Sequence, residues 1–386
     1  MEKNAVVAGV GITPFGHFPE KSFVDLGKAA IDMALKDANT SFKDIEAVFA
    51  VNSFLSKSVV GVMVTESLGR TGIPVMDADA ACAGAASVLR IVKDLIESGK
   101  LKNVLIFGVE KMPKGFMPPT VLYNHEWQVY MGLDQNPMYW AMNARRHMHD
   151  YGTTVEEFTK VVIKNRANGS LNPNARFRKP VTADDVMSSP LVCDPMRLFM
   201  ICAPVEGAAA VVVSEEDVAT KLNDKARLRL AAAVHVVSMY PNTIAPSICV
   251  GHSGNPSRHQ LAAERAYKQA GVSASDIDLA ELQDTDAFCE IEAYEGLGFC
   301  KKGEGGSLVT EGVTERTGKK PTNTDGGLLS KGEPVGASHL GQLFEVAKQL
   351  RGEAEERQIQ RRANVGLAHV SGAGGHCGVT ILEKID

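Results

Sequence analysis

Short apolar runs and amphipathic stretches alternate from the start of the chain. "NAVVAGVG" is an apolar run closed by glycine, and "SFVDLGKAAIDMALKDA" sets apolar residues at helical spacing. "IEAVFAV" predicts a strand, "GVMVTESLG" a helix and "IPVMDADA" a strand. An amphipathic helix, "CAGAASVLRIVKDLIESG", and the strand "KNVLIFGVE" follow. Such alternation predicts a mostly parallel sheet with helices on both faces. From about Met112 to Pro190 the pattern breaks into a segment rich in Pro, Met and aromatic residues, among them Trp127, Tyr130, Met131, Met138, Tyr139 and Trp140. We read residues 112–190 as an insertion lying over the sheet and walling a substrate pocket.

"GAAAVVVSEE" resumes the sheet, and after about Asn223 the alternation begins again. "ARLRLAAAVHVVS", "LAELQ" and "CGVTILEK" read as strands, and "SRHQLAAERAYKQAG", "FCEIEAYEGLG" and "HLGQLFEVAKQLRGEAEERQ" as helices. The chain therefore divides into an N-terminal half, 1–222, and a C-terminal half, 223–386, of an α/β protein built on duplicated βαβ halves.

Composition narrows the class. With 386 residues, 44% hydrophobic and 23% charged, the chain is ordinary for a globular enzyme and long enough for two lobes. A formal net charge of -5 gives no electrostatic case for nucleic acid or an anionic membrane. Neither a secretory leader nor a run long enough to span a bilayer is read. The seven cysteines are scattered without a C-x-x-C pair, which argues against a disulfide framework or a zinc ribbon and for a reducing, cytoplasmic setting. No ATP or dinucleotide fingerprint is present, and no metal ligand set is read.

One cysteine stands apart. Cys82 falls among Ala80, Ala81, Ala83, Gly84, Ala85 and Ala86, where a strand gives way to a helix. Unpaired N–H groups at a helix N-terminus stabilise a thiolate, and small neighbours admit a wide substrate. A thiolate is also a good leaving group, suited to making and breaking thioesters.

The residues "DADAACAGAASVLRIVKDLIESGKLKNVLIFGVEKM" resemble the nucleophile region of thiolases, especially the sterol-carrier-protein-like branch. "VVAGVGITPFGHF", "NARRHMHDYGTTVEEFTKVVIKNRANGSLNPNARFR" and "CAPVEGAAAVVVSEE" extend the resemblance over nearly the whole chain. It implies a layered α/β/α/β/α fold with an inserted loop domain, and a Claisen condensation or its reverse through an acyl-Cys82 thioester. It also implies acyl-CoA and coenzyme A as substrates, no covalently bound cofactor, and a homodimer.

Two departures matter. Where the family usually has Gly-His-Pro, this chain has "KGEPVGASHLGQ", so Glu333 replaces the histidine. A carboxylate beside a thiol opposes its ionisation, unless it is protonated, turned away, balanced by a cation, or itself the proton acceptor. His339 is the nearest substitute in sequence. In "LQDTDAFCEIEAYEGLG", Asp286 matches the oxyanion and substrate-positioning loop of the relatives, but Thr285 stands where that loop usually carries its side-chain donor. In "NVGLAHVSGAGGHCGVTILEK", the resemblance makes His369 the α-carbon acid/base. Gly374 and Gly375 would offer N–H groups there, with His376 a further candidate.

Within the branch the chain resembles catalytic subunits of benzoylsuccinyl-CoA thiolases. These work with a small subunit combining a zinc ribbon and an oligonucleotide-binding-type fold, and their substrate suits the aromatic insertion. The rival readings are a retro-aldolase of the same fold acting on a hydroxyacyl-CoA, and a non-catalytic acyl-CoA or lipid carrier.

Overall fold

A computed structural model describes residues 3–55, 59–115, 130, 135–222, 228–239 and 255–385. In the first half the strands are β1 (Ala5–Ile12), β2 (Ala47–Val51), β3 (Val75–Ala78), β4 (Asn103–Lys111), the short pair β5 (Leu191–Cys193) and β6 (Met196–Arg197), and β7 (Glu206–Glu215). The second half supplies β8 (Leu228–Val237), β9 (Leu279–Glu281), β10 (Val365–Ser371) and β11 (His376–Lys384). All but β5 and β6 form one sheet in the order β3-β2-β4-β7-β1-β8-β11-β10-β9.

The sheet is mixed rather than mostly parallel: only β2–β3, β2–β4 and β9–β10 run parallel. The expectation failed because strands covered on both faces become continuous apolar runs whatever their direction. β4, β7 and β1 are buried almost throughout, and their sequences carry no mark of direction.

Main-chain pairing between the halves is thin. β1 and β8 meet only at Val6 and Arg229. Side chains, with loop backbone bonds such as the Cys202 N–H to the Thr285 carbonyl, hold the halves together. Helices Gly84–Glu97 and Ser338–Arg351 lie between the two sets of strands. Their Val88, Leu89, Val92 and Leu340, Leu343, Val346 share one core with residues of both halves. Helix Phe23–Asp37 covers the first half from outside, and helices Arg258–Ala270 and Ala287–Gly296 cover the second, which completes the α/β/α/β/α layering. The Ser338–Arg351 helix is shorter than its sequence pattern suggests, because Gly352 adopts φ 75 and caps it.

The insertion contains helices Asn136–Tyr151, Val155–Ser170 and Ala183–Ser188. Phe158, Val161 and Val162 pack with Phe288 and Ile291 of the second half. Trp127 and Met131 lie outside the described residues, and Tyr130 is exposed. Among the described residues no helix is long and apolar enough to cross a membrane.

Gly108 of β4 is a junction between the halves. A Cβ there would stand 2.0 Å from the Gly336 carbonyl oxygen, in the turn just after Glu333. Gly108→Ala is therefore expected to cost about 1–3 kcal/mol of stability through overpacking. Urea melts would measure the loss, and the turn that follows Glu333 would shift with it.

Candidate active site

β3 ends at Ala78, and the chain turns through Asp79 and Ala80 to place Cys82 just ahead of the Gly84–Glu97 helix. Ala81 takes the left-handed φ of 50, which is unfavourable for a residue with a Cβ. Asp79 holds this turn, its carboxylate accepting from the Ala81 N–H at 2.9 Å and the Ser53 hydroxyl at 2.6 Å. The small-residue run is what lets the turn tighten. Ala81→Gly is expected to stabilise the fold by about 1 kcal/mol with the turn retained, measurable by thermal unfolding.

Cys82 is half-buried at the floor of a cavity of about 400 Å³. Ser53, Phe54, Cys202, Thr285, Glu333 and Gly372 are among its lining residues. Gly372 lies so close that a Cβ on it would stand 3.2 Å from the Cys82 nitrogen. A side chain there would make the Cys82 turn give by a few tenths of an ångström.

Glu333 reaches this floor on a segment whose backbone is pinned to the strand before β7. Its N–H donates to the Ala203 carbonyl at 2.9 Å, and its own carbonyl accepts from Val205 at 3.3 Å. The buried carboxylate accepts from the Cys202 thiol at 3.2 Å and from the Gln283 amide at 2.6 Å, and Cys82 lines the same cavity. Burial raises the Glu333 pKa, against the pull of these donors. Burial and the facing Glu333 carboxylate also push the Cys82 thiol well up. The resting Cys82 is thus an S–H facing a buried carboxylate, not the free thiolate that its place before a helix suggests. Among the described residues no cation is ion-paired with Glu333. Lys331, two residues earlier, pairs with Asp325.

Glu110 braces both sides of the cleft. Its carboxylate accepts from Ser53 and Phe54 on the nucleophile side and from Gly336 on the Glu333 side, each at 3.0 Å, and burial raises it to about 7.

The histidines separate by strand alternation. Ala368 and Val370 of β10 face the central helices, Val370 packing with Ala83 and Ala86. His369 therefore points to the opposite face of the sheet. There it meets His259 Nδ1 at 2.9 Å, is fully buried, and does not line the cavity. On β11, Gly378 faces Ala86, so His376 shares the cavity side while Cys377 turns away with His369. His376 lines the cavity and rests on His235, Nδ1 to Nε2 at 3.0 Å, with the rings stacked at 16°. Burial lowers the pKa of both, so the pair is neutral near pH 7. His339 also misses the cavity: its nitrogens are taken by Gln342 and by Thr380, each at 2.9 Å, and burial lowers its pKa to about 4.

On the remaining loop, Thr285 lines the cavity, but Asp286 does not. Asp286 caps the Ala287–Gly296 helix, accepting from Phe288 at 2.8 Å and Cys289 at 3.1 Å. Gly374 and Gly375, at φ 70 and 79, shape the cavity loop in a conformation that favours glycine. Sequence reasoning missed Cys202, Gln283, Arg258 and Glu292. Arg258 and Glu292 line the cavity, and Arg258 donates to Ser371 at 3.3 Å. No motif marks these residues, though a cysteine two positions before "PVEG" could have drawn notice. By contrast, Arg145 and Arg146 are spent on Asp194 and Asp150.

A thiol paired with a buried carboxylate, under a cavity of small-molecule size, is the equipment of a covalent acyl-transfer enzyme. Comparison with known proteins gives the family. The thiolase N-terminal domain matches residues 5–217, and a thiolase C-terminal domain-like family matches 255–384. An acetyl-CoA acetyltransferase of Methanothermobacter thermautotrophicus is 35% identical over 99% of this chain and 100% of its own. The benzoylsuccinyl-CoA thiolase subunit BbsB of Thauera aromatica is 30% identical over 97% and 96%. Among solved structures, an Ltp2-ChsH2(DUF35) aldolase shares the fold with a TM-score of 0.85 at 24% identity, covering 99% of this chain and 98% of that one. A human mitochondrial 3-ketoacyl-CoA thiolase in complex with CoA has a TM-score of 0.75 at 17% identity, covering 100% and 98%. The chain belongs to the thiolase family and is an acyltransferase of the thiolase type.

Proposed function

We propose that this enzyme cleaves a β-ketoacyl-CoA with free coenzyme A, using Cys82 as acyl carrier, Glu333 as the group that takes and returns protons and His376 as a hydrogen-bond donor to the departing enolate. The observation that carries the reading is that Cys82 and the buried Glu333 carboxylate line the same cavity. Glu333 takes the thiol proton as sulfur attacks the β-carbonyl, so charge moves rather than accumulates. The C–C bond breaks, and the enolate of the departing acyl-CoA takes the proton held on Glu333, while the neutral His376 ring donates a hydrogen bond to it. His235 fixes the His376 ring from behind, leaving Nε2 for the substrate. Coenzyme A then attacks the Cys82 thioester: Glu333 takes the coenzyme A thiol proton and returns it to the Cys82 sulfur as that leaves, which restores the starting state. Thr285 and the glycine-rich loop are placed to meet the carbonyl oxygen as it gains charge.

The acyl group is proposed to be aromatic. Phe54, Met112, Tyr139 and Trp140 line the cavity, and a relative is named for benzoylsuccinyl-CoA. That relative is named as a subunit, which supports a second polypeptide as partner here too, alongside a homodimer.

The raised Cys82 thiol favours one other reading, a retro-aldolase that moves protons without a covalent intermediate. One experiment separates the two. The enzyme is mixed with a panel of aryl and alkyl β-ketoacyl-CoA thioesters, quenched, and digested for mass spectrometry. Acyl mass on the Cys82 peptide, strongest with aryl substrates and discharged by coenzyme A, is the expected result. Cleavage of hydroxyacyl-CoA with Cys82 unmodified would overturn it.

A further inference from the structure

Behind the cavity, on the outer face of the second half, three side chains from distant parts of the sequence meet. His259 comes from the Arg258–Ala270 helix, His369 from β10 and Cys377 from β11, and all are buried. His259 Nδ1 lies 2.9 Å from His369 Nε2, and Cys377 Sγ lies 3.6 Å from His369 Nε2 and 4.0 Å from His259 Nδ1. The thiolase chemistry uses none of them.

We propose that His259, His369 and Cys377 bind one Zn²⁺ ion, a structural site that ties the Arg258–Ala270 helix to β10 and β11 directly under the glycine-rich loop. The triangle has the right size. Zinc–nitrogen bonds of about 2.0 Å and a zinc–sulfur bond of about 2.3 Å at tetrahedral angles set nitrogens about 3.3 Å apart and nitrogen from sulfur about 3.5 Å. Shifts of a few tenths of an ångström bring the three atoms to those separations, leaving the fourth position for a small ligand such as water.

The surroundings fit as well. The Glu292 carboxylate stands 3.6 Å from the other nitrogen of His259. A carboxylate behind a metal-bound imidazole fixes its tautomer and strengthens it as a ligand. His369 Nδ1 is buried without a partner, so it can take the ring proton when Nε2 turns to the metal. Binding then releases one proton, that of the Cys377 thiol, to solvent. The thiolate and Glu292 balance the ion's two charges, while Arg258, the nearest cation, faces the cavity and Ser371.

Anaerobic titration of the metal-free protein with Co²⁺, a spectroscopic stand-in for zinc, tests the site. One equivalent is expected to produce a thiolate-to-cobalt charge-transfer band, and Zn²⁺ to bleach it. The band should be lost in Cys377→Ser and retained in Cys82→Ala. No band in the parent protein, or a band that survives Cys377→Ser, would overturn the proposal. Should Cys377→Ser fail to fold, X-ray absorption on the zinc-loaded parent protein decides. One sulfur at roughly 2.3 Å with at least two nitrogens at roughly 2.0 Å supports the site, and any other sulfur count refutes it.

Discussion

Cys82→Ser is expected to lower kcat for β-ketoacyl-CoA thiolysis by at least about 10⁴-fold, in line with the loss of an enzymatic nucleophile. Serine keeps the volume, so the fold and substrate affinity should survive. The hydroxyl, however, is a far weaker nucleophile and a poorer leaving group than sulfur. Isothermal titration with acyl-CoA and steady-state turnover, measured on the same preparation, separate binding from chemistry. A variant within tenfold of the parent kcat would eliminate the covalent route.

The Glu333→Gln enzyme should lose about 10²–10⁴-fold in kcat, the usual contribution of a positioned proton acceptor. Its pH profile should also change shape. Burial lifts the Glu333 carboxyl above the ordinary carboxylate range, so in the parent enzyme activity falls as pH drops through that raised value and the acceptor becomes protonated. The amide cannot titrate. Its residual activity should lack this acidic limb and climb with pH as the Cys82 thiol, itself raised, ionises into solvent. Stability gives an independent control. Between the unfolded carboxyl's pKa and the raised folded value, the native state binds more protons, so Glu333 makes stability fall as pH rises through that window. The glutamine variant should show a weaker fall in denaturant titrations.

How much of this was legible in sequence depends on whether the deciding contact is local. Cys82 was legible because its turn needs small residues at Ala80, Ala81 and Ala83, and these stand beside it in the chain. Glu333 stood out as a departure from Gly-His-Pro, but its neighbours are Cys82, Cys202 and Gln283, so its role was open until they were in place. His369 was misplaced even though the answer lay in the string "LAHVSG". Alternation along a strand puts Ala368 and Val370 on one face and His369 on the other, and the Cys82 helix claims the first. His339 gave no such clue, since Thr380, which engages it, is forty-one positions away. Mixed strand direction was hidden for a related reason, because helices on both faces erase the alternation that would have shown it.

The seam at Val6 and Arg229 has a bearing on how such enzymes diverge. Cys82 belongs to one half and Glu333 to the other, yet a single backbone pairing joins the sheets. Their separation is fixed by the Glu333 segment's backbone bonds to Ala203 and Val205 and by how helices Gly84–Glu97 and Ser338–Arg351 nest against each other. Exchanging a leucine for a valine along those helices would slide one lobe past its neighbour and resize the gap between the reacting groups. A lineage could thus adopt bulkier or slimmer substrates by altering side chains remote from the chemistry, with the catalytic groups themselves unchanged.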